Sequence, residues 1–125
     1  MEKKELVYVC SPLSDSTREG MEKNMKKAAY YAALIKEQFG HRAIAPHSFL
    51  PEYLDDNILQ EREVALAFGL SVIRIAKAVV VCGDRISKGM KAEMEKAKEW
   101  DIPVYRLWEN ETGVMVVEYQ EESME

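Results

Sequence analysis

The sequence predicts a single α/β domain with a mostly parallel sheet of four or five strands and helices on both faces. Short β-prone segments alternate with amphipathic helical segments along the chain, and the connections between them are short. One segment, 78–82 (AVVVC), is continuously apolar, which is typical of a central parallel strand covered on both faces. A length of 125 residues suits one domain, so we expect 1–125 to form one unit.

The first half of the chain predicts two strands and one helix. Residues 5–10 (ELVYVC) are β-prone, and residues 42–45 (RAIA) form a short second strand that ends before Pro46. Residues 16–19 (STRE) have the spacing of a capping box and open a helix. Apolar residues recur every three or four positions up to Phe39, and Gly40 ends the helix.

The second half predicts two helices and up to three strands. A polar loop leads to a second helix from about Asp56 to about Ile75, which we expect to be more buried than the first because it is more apolar. The strand 78–82 is followed by a loop at 83–89 and a third helix that ends before Ile102. Residues 103–107 and 114–119 are further strands, and 120–125 form an acidic tail that we expect to be frayed.

Composition restricts the classes of partner. The chain has 17 Lys+Arg and 22 Asp+Glu, and a net charge of -5 argues against a nucleic-acid polymer as the partner. No apolar run has the roughly 20 residues that a membrane helix needs, and there is no signal-peptide pattern. Cys10 and Cys82 each close an apolar run, which indicates buried reduced thiols. We therefore expect a cytoplasmic protein without a membrane partner.

One carboxylate is placed for chemistry at the carboxyl ends of the strands, where α/β sheets bind ligands. Glu93 lies one turn inside the third helix, at the edge of its apolar stripe. A helix N-terminus favours the ionised carboxylate that a nucleophile needs. The alternative is a surface glutamate paired with Lys96 or Lys88.

Several polar residues near the same sheet edge have two interpretations each. Ser87 and Gly89 suit a phosphate or a sugar hydroxyl, or they are a helix cap and a turn glycine. His47 suits acid–base work, or it is a hydrogen-bonded structural histidine. Asp55 and Asp56 cap the second helix or, as a less favoured alternative, form a metal pair. The sequence has no dinucleotide, Walker or Cys/His metal motif, so we expect no cofactor and no metal.

Four segments of the chain form a recognisable set: VYVCSPLSD, the N-x-x-x-A-x-x-Y-A pattern that starts at Asn24, APHSFLPEYLDD and GDRISKGMKAEMEKAKEWDIPV. The most specific of them contains the Ser-x-Gly-x-x-x-Glu run from Ser87 to Glu93. Through these segments the chain resembles the nucleoside 2-deoxyribosyltransferase-like superfamily from about Leu6 to Tyr105. The group most similar to this chain consists of uncharacterised bacterial and phage proteins. The resemblance implies a flavodoxin-like, Rossmann-like three-layer fold, oligomeric assembly, and N-glycosidic bond chemistry on nucleosides or nucleotides.

The resemblance also implies roles for particular residues. A glutamate matching Glu93 attacks C1′ of the 2-deoxyribose and expels the base; water then gives hydrolysis, and a second base gives transfer. Transferases that use free nucleosides carry Asp where this chain has Ser87, whereas the related nucleoside 5′-monophosphate N-hydrolases carry Ser, which implies a nucleotide substrate. The residues expected around that substrate are Ser11, Pro12, Asn24, His47, Asp56, Ser87, Gly89 and Met90.

Two departures from the superfamily pattern lead to an alternative function. Gly69 stands where the superfamily usually has an assisting Asp, and Lys77 stands where an Asp commonly opens the third strand. The alternative is a nucleotide-binding protein without turnover, acting as a sensor or a sequestering protein.

The apolar residues of the second helix and of the loop before it predict a homo-oligomer. The loop carries Phe49, Leu50, Tyr53 and Leu54. We expect a dimer or larger assembly with the second helix near the two-fold contact. The alternative is a loop that folds over its own sheet and a helix that is simply well buried.

Overall fold

The structure is a computed structural model that describes residues 4–120. It contains one five-stranded sheet in the order β2-β1-β3-β4-β5, in which the first four strands are parallel and β5 pairs antiparallel with β4. The elements are β1 (Leu6–Cys10), α1 (Arg18–Phe39), β2 (Arg42–Ile44), α2 (Leu59–Ile75), β3 (Ala78–Val81), α3 (Lys88–Glu99), β4 (Val104–Asn110) and β5 (Gly113–Glu118). The predicted fold class is confirmed. Apart from Gln120, the predicted tail lies outside the described residues.

Two apolar clusters cover the two faces of the sheet and make three layers. One cluster packs α1 against the face that carries Val7 and Val9, and the other packs α2 and α3 against the face that carries Tyr8 and Cys10. Side chains of β1 alternate between the clusters because successive residues of a strand point to opposite faces. All four residues of β3 are buried, so the prediction of a central strand is confirmed.

The start of α1 differs by one residue from the predicted capping box. Thr17, not Ser16, is the N-cap, and its Oγ1 accepts a hydrogen bond from Gly20 N at 2.9 Å. Asp15 selects Thr17, because its Oδ2 accepts from Thr17 N at 2.9 Å and from Thr17 Oγ1 at 2.8 Å. The predicted end is confirmed, since Gly40 closes the helix in the left-handed region with φ of 75°.

The prediction that α2 is more buried than α1 is wrong for the single chain. Only Gly69 and Ile73 of this helix are buried, whereas Val64 and Ile75 are 57% and 68% exposed. The helix also begins later than predicted, after Ile58 and without a side-chain cap. One side of α2 meets the sheet, while its N-terminal half stands beside an open cleft.

No helix within residues 4–120 is long and apolar enough to cross a lipid bilayer.

Candidate active site

A cleft of about 660 Å³ opens on the sheet face that carries α2 and α3. Tyr8, Gly69 and Glu93 contribute to its lining, together with loop 13–18 and the loop from Pro46 to Asn57. Two single 3₁₀ turns, Pro46–Ser48 and Leu50–Glu52, shape the second loop. No residue between His47 and Phe68 is buried, so this wall of the cleft has no core of its own.

Glu93 is held by one donor on each carboxylate oxygen. Tyr8 Oη donates to Glu93 Oε2 at 2.6 Å, and Cys10 Sγ donates to Glu93 Oε1 at 3.5 Å. Both donors come from β1, where residues two apart share a face of the sheet. Tyr8 and Cys10 together orient the carboxylate of Glu93, which α3 places over β1.

Burial dominates the electrostatics of this group. It raises the pKa of Glu93 above its ordinary value, while the Tyr8 hydrogen bond, the nearby His47 charge and the Cys10 hydrogen bond oppose that rise. Burial first, and then the Glu93 charge, raise the pKa of Tyr8 and of Cys10 well above their ordinary values. Tyr8 and Cys10 therefore remain protonated donors at neutral pH.

His47 lines the cleft with one ring nitrogen already engaged. Its Nδ1 lies 2.9 Å from the carbonyl oxygen of Ser11. A carbonyl only accepts hydrogen bonds, so the geometry assigns the proton to Nδ1. Nε2 is then the nitrogen left for acid–base work, and Pro46, which is buried, anchors the turn that carries the ring.

Gly69 brings the backbone of α2 close to the Tyr8–Glu93 pair. A Cβ at this position would lie 3.2 Å from Tyr8 Oη and 3.3 Å from Glu93 Oε2. The position where the superfamily pattern has an assisting Asp therefore lies next to the Glu93 carboxylate, and in this chain a glycine occupies it. Lys77, the other departure, precedes β3 at the opposite end of the strand from the cleft, where its backbone N donates to Leu6 O at 2.8 Å.

The residues expected around the substrate do not all meet in the cleft. Asp56 lines it, but Ser87, Gly89 and Met90 do not. Ser87 Oγ accepts from Met90 N at 3.2 Å as the N-cap of α3, and the Met90 side chain is buried in the core. Gly89 is exposed, and a Cβ at this position would point into open space.

Ser11, Pro12 and Asn24 line a separate cavity of about 40 Å³ beside α1. The hydroxyl of Ser11 is buried there without a hydrogen-bond partner among the described residues. Asn24 Nδ2 donates to Leu13 O at 2.8 Å and so fixes the loop that forms one wall of the cleft. The side chains of these three residues line this smaller cavity and do not line the cleft.

Sequence reasoning missed the two donors to Glu93. Tyr8 and Cys10 lie in an apolar run, where a tyrosine and a cysteine look like ordinary core residues. One feature of the sequence could have found them: Tyr8 and Cys10 are two residues apart in a strand, so their side chains point to the same sheet face, which the third helix covers. Within residues 4–120, no group of three or more His, Cys, Asp or Glu side chains is arranged to hold a metal ion.

The fold and this partly buried carboxylate define a three-layer α/β protein with a cleft at the carboxyl end of β1. The chain belongs to a family described as a domain of unknown function (DUF7768), whose model matches residues 5–107. A solved 2-deoxyribosyltransferase from Bacillus psychrosaccharolyticus, a biocatalyst for the synthesis of antiviral and antitumoral nucleosides, is similar in fold. The TM-score is 0.63 at 17% identity, over 81% of this chain and 70% of that chain. The similarity confirms the flavodoxin-like fold class. The curated proteins contain no match.

Proposed function

We propose that this protein cleaves the N-glycosidic bond of a nucleoside or nucleotide, with Glu93 as the nucleophile. The observation that carries the proposal is a carboxylate in a cleft of about 660 Å³, with one donor on each oxygen. Such a cleft is large enough for a nucleoside-sized ligand. The fold shared with a 2-deoxyribosyltransferase supports the same class of reaction.

The proposed reaction has two steps. A Glu93 oxygen forms a bond to C1′ while the C1′–N bond breaks, and the electron pair goes to the base nitrogen, which takes a proton. Water then attacks C1′ and loses a proton, and Glu93 departs as a carboxylate. A second base in place of water would give transfer. Both steps pass through a centre with oxocarbenium character, which the nearby negative charge stabilises.

His47 is the proposed proton carrier, because Gly69 leaves no acid at the position beside Glu93. With Nδ1–H bound to Ser11 O, a neutral His47 presents Nε2 as a base for the attacking water. The protonated ring presents Nε2–H to the leaving base. Asp55 also lines the cleft, but its Oδ1 already accepts a hydrogen bond from Asn57 N at 2.9 Å.

We propose a (deoxy)nucleoside 5′-monophosphate as the substrate. The phosphate would lie near loop 13–18, where Ser14 and Ser16 offer hydroxyls and Arg18 lines the cleft. Arg85 adds positive charge there, since its Nη2 donates to Ser14 O at 3.0 Å. Ser87 at the start of α3 is uncharged and so does not repel an anion, unlike the Asp of nucleoside-specific relatives.

Release of free base from deoxynucleoside 5′-monophosphates and from nucleosides, followed by chromatography, tests the proposal. The matched control is Glu93→Gln, which keeps the shape of the side chain and removes the nucleophile. We expect base release by the wild type and a loss of roughly 1000-fold or more in the variant. Absence of release at high enzyme concentration, or wild-type rates for Glu93→Gln, would contradict it.

A nucleotide-binding protein without turnover is the second candidate, and the missing acid at Gly69 favours it. Nucleotides would then raise the melting temperature without any product. A ligand at 100 times its Kd adds roughly 2.7 kcal/mol to the free energy of unfolding, which is readily measured.

We also propose a homo-oligomer in which α2 packs on α2 of a second copy. Val64, Phe68, Ser71 and Ile75 follow one another at steps of four, three and four, which is the spacing of a helix–helix seam. Val64, Phe68 and Ile75 are 57%, 37% and 68% exposed, so the single chain leaves much of this stripe exposed. A two-fold axis near its centre would bury the stripe of each copy against the other.

We propose that residues 1–125 act as one cytoplasmic domain. The support is the single sheet, to which all five described strands belong, and the two free cysteines. Free buried thiols are typical of proteins in a reducing compartment.

A further inference from the structure

We propose that Cys10 is a positioning residue that holds the carboxylate of Glu93 in place, an inference that rests on the proposed role of Glu93 as the nucleophile. Nothing in the sequence pattern distinguishes this cysteine from a core residue. Its contacts do, because its thiol meets the functional carboxylate directly.

The geometry gives each oxygen of Glu93 a separate donor. Tyr8 Oη lies 2.6 Å from Oε2, and Cys10 Sγ lies 3.5 Å from Oε1. The thiol has a single proton, and Glu93 Oε1 is a nearer acceptor for it than the carbonyl oxygen of Met90, which lies 3.9 Å away in the first turn of α3. Cys10 is fully buried, so water does not compete for these contacts. Two donors on two oxygens fix both the position and the plane of the carboxylate.

The two donors differ in strength. The short hydroxyl contact at Oε2 draws electron density from that oxygen. A thiol is a weak donor, so Cys10 restrains Oε1 while drawing little electron density from it. The carboxylate is thus held at both oxygens and keeps more of its reactivity than two hydroxyl or N–H donors would leave it.

The first test measures the pKa of Glu93 by NMR of carboxyl-labelled glutamate in the full chain, which requires no turnover. Cys10→Ala removes a donor to the ionised form, so the Glu93 titration shifts to higher pH. Cys82→Ala is the matched control: Cys82 is equally buried, but its thiol lies 3.7 Å from Val80 O on the other face of the sheet. An unchanged titration in Cys10→Ala, or an equal shift in the control, overturns the proposal.

The second test keeps Cys10 and so does not depend on the folding of Cys10→Ala. The chain has 2 cysteines, so Cys82→Ala leaves Cys10 as the single thiol. Its Raman S–H stretching band is expected to shift with pH as Glu93 titrates, and Glu93→Gln in the same background is expected to abolish that shift. A band that does not respond to pH overturns the contact.

The two proposals fail in distinguishable ways. If no nucleoside or nucleotide is cleaved but both spectroscopic tests succeed, Cys10 still positions Glu93 and only the reaction is wrong. If turnover occurs, Cys10→Ala is expected to lower kcat by about tenfold with little change in KM, because a displaced nucleophile affects the transition state more than binding. A kcat equal to that of the wild type overturns the positioning role.

Discussion

Glu93 is subject to two opposing effects within a few ångströms. Burial disfavours its charge, while the hydrogen bonds from Tyr8 and Cys10 and the nearby His47 favour it. Burial is the larger effect, and the pKa of Glu93 is raised. An ionised Glu93 therefore costs folding stability, as is common for groups that serve catalysis.

The pH dependence of stability in Glu93→Gln follows from this raised pKa. Because the folded protein holds the Glu93 proton more tightly than the unfolded chain, the stabilising contribution is complete at acid pH and is lost as pH rises through the folded pKa. We expect Glu93→Gln to be more stable than the wild type at pH 8, by about 1.4 kcal/mol for each unit of pKa difference, and to lose that advantage near pH 4. Urea denaturation at both pH values measures it. An advantage independent of pH would contradict the argument.

Gly69 is costly for the helix that contains it, and the site explains its presence. Glycine inside a helix is about 1 kcal/mol less favourable than alanine, but a Cβ here would press on Tyr8 Oη and Glu93 Oε2. Tyr8 is fully buried and has little room to move. The backbone of α2 therefore approaches the carboxylate more closely than a side chain would allow.

The substitution Gly69→Ala is accordingly expected to change the free energy of unfolding by less than about 1 kcal/mol, because the gain in helix propensity offsets the tight contact. Turnover is expected to fall by about tenfold or more, since the methyl group displaces the Tyr8–Glu93 pair. Glu63→Ala, at an exposed position of the same helix outside both the cleft lining and the proposed seam, is the control and should leave turnover unchanged. Full activity of Gly69→Ala would show that the close approach is irrelevant to the reaction.

Ser87 at the N-cap of α3 allows the phosphate proposal to be separated from helix capping. Aspartate caps a helix as well as serine does, so Ser87→Asp should leave stability unchanged, whereas Ser87→Ala should cost about 1 kcal/mol. The added charge is expected to weaken nucleotide binding much more than nucleoside binding. Titration calorimetry with both ligands measures the difference. An equal loss for both would mean that Ser87 is only a cap.

The elements with a strong pattern were predictable from the sequence. The continuously apolar β3 and the Gly40 end of α1 follow from local rules and were confirmed. The start of α1 was not predictable, because Ser16 and Thr17 are both good caps and only the contacts of Asp15 select between them. The prediction that α2 is more buried than α1 was wrong, because an apolar helix face indicates that the face packs against something but does not indicate what the partner is.

The candidate site was predictable only in part, for a similar reason. The spacing along α3 pointed to Glu93, which does line the cleft. The donors Tyr8 and Cys10 are 85 and 83 positions away in sequence, and their partner is set by how α3 crosses β1. Ser87 and Met90 are near Glu93 in sequence, yet one caps the helix and the other fills the core. Nearness in sequence was a poor guide to nearness in the site.

At the scale of the whole molecule, the exposed stripe on α2 makes the oligomeric state measurable by light scattering. At micromolar concentration we expect a mass of at least twice the 14.4 kDa of the chain. Phe68→Lys should shift the mass to that of a monomer, since it buries a charge in the proposed seam. Phe39→Lys is the matched control, because Phe39 of α1 is 38% exposed and Phe68 is 37% exposed. A wild-type mass near 14.4 kDa that nucleotide does not change would refute the seam.

The wall of the cleft between His47 and Phe68, which contains no buried residue, has a thermodynamic consequence. Segments with little apolar burial open locally at a small fraction of the free energy of global unfolding. We expect amide hydrogens of this wall to exchange through such openings, and those of β1 and β3 to exchange only when the whole molecule unfolds. An occupant of the cleft would supply the packing that the wall lacks and slow its exchange. A bound ligand would thus raise the local stability of the cleft wall, which the chain alone does not stabilise by burying apolar side chains.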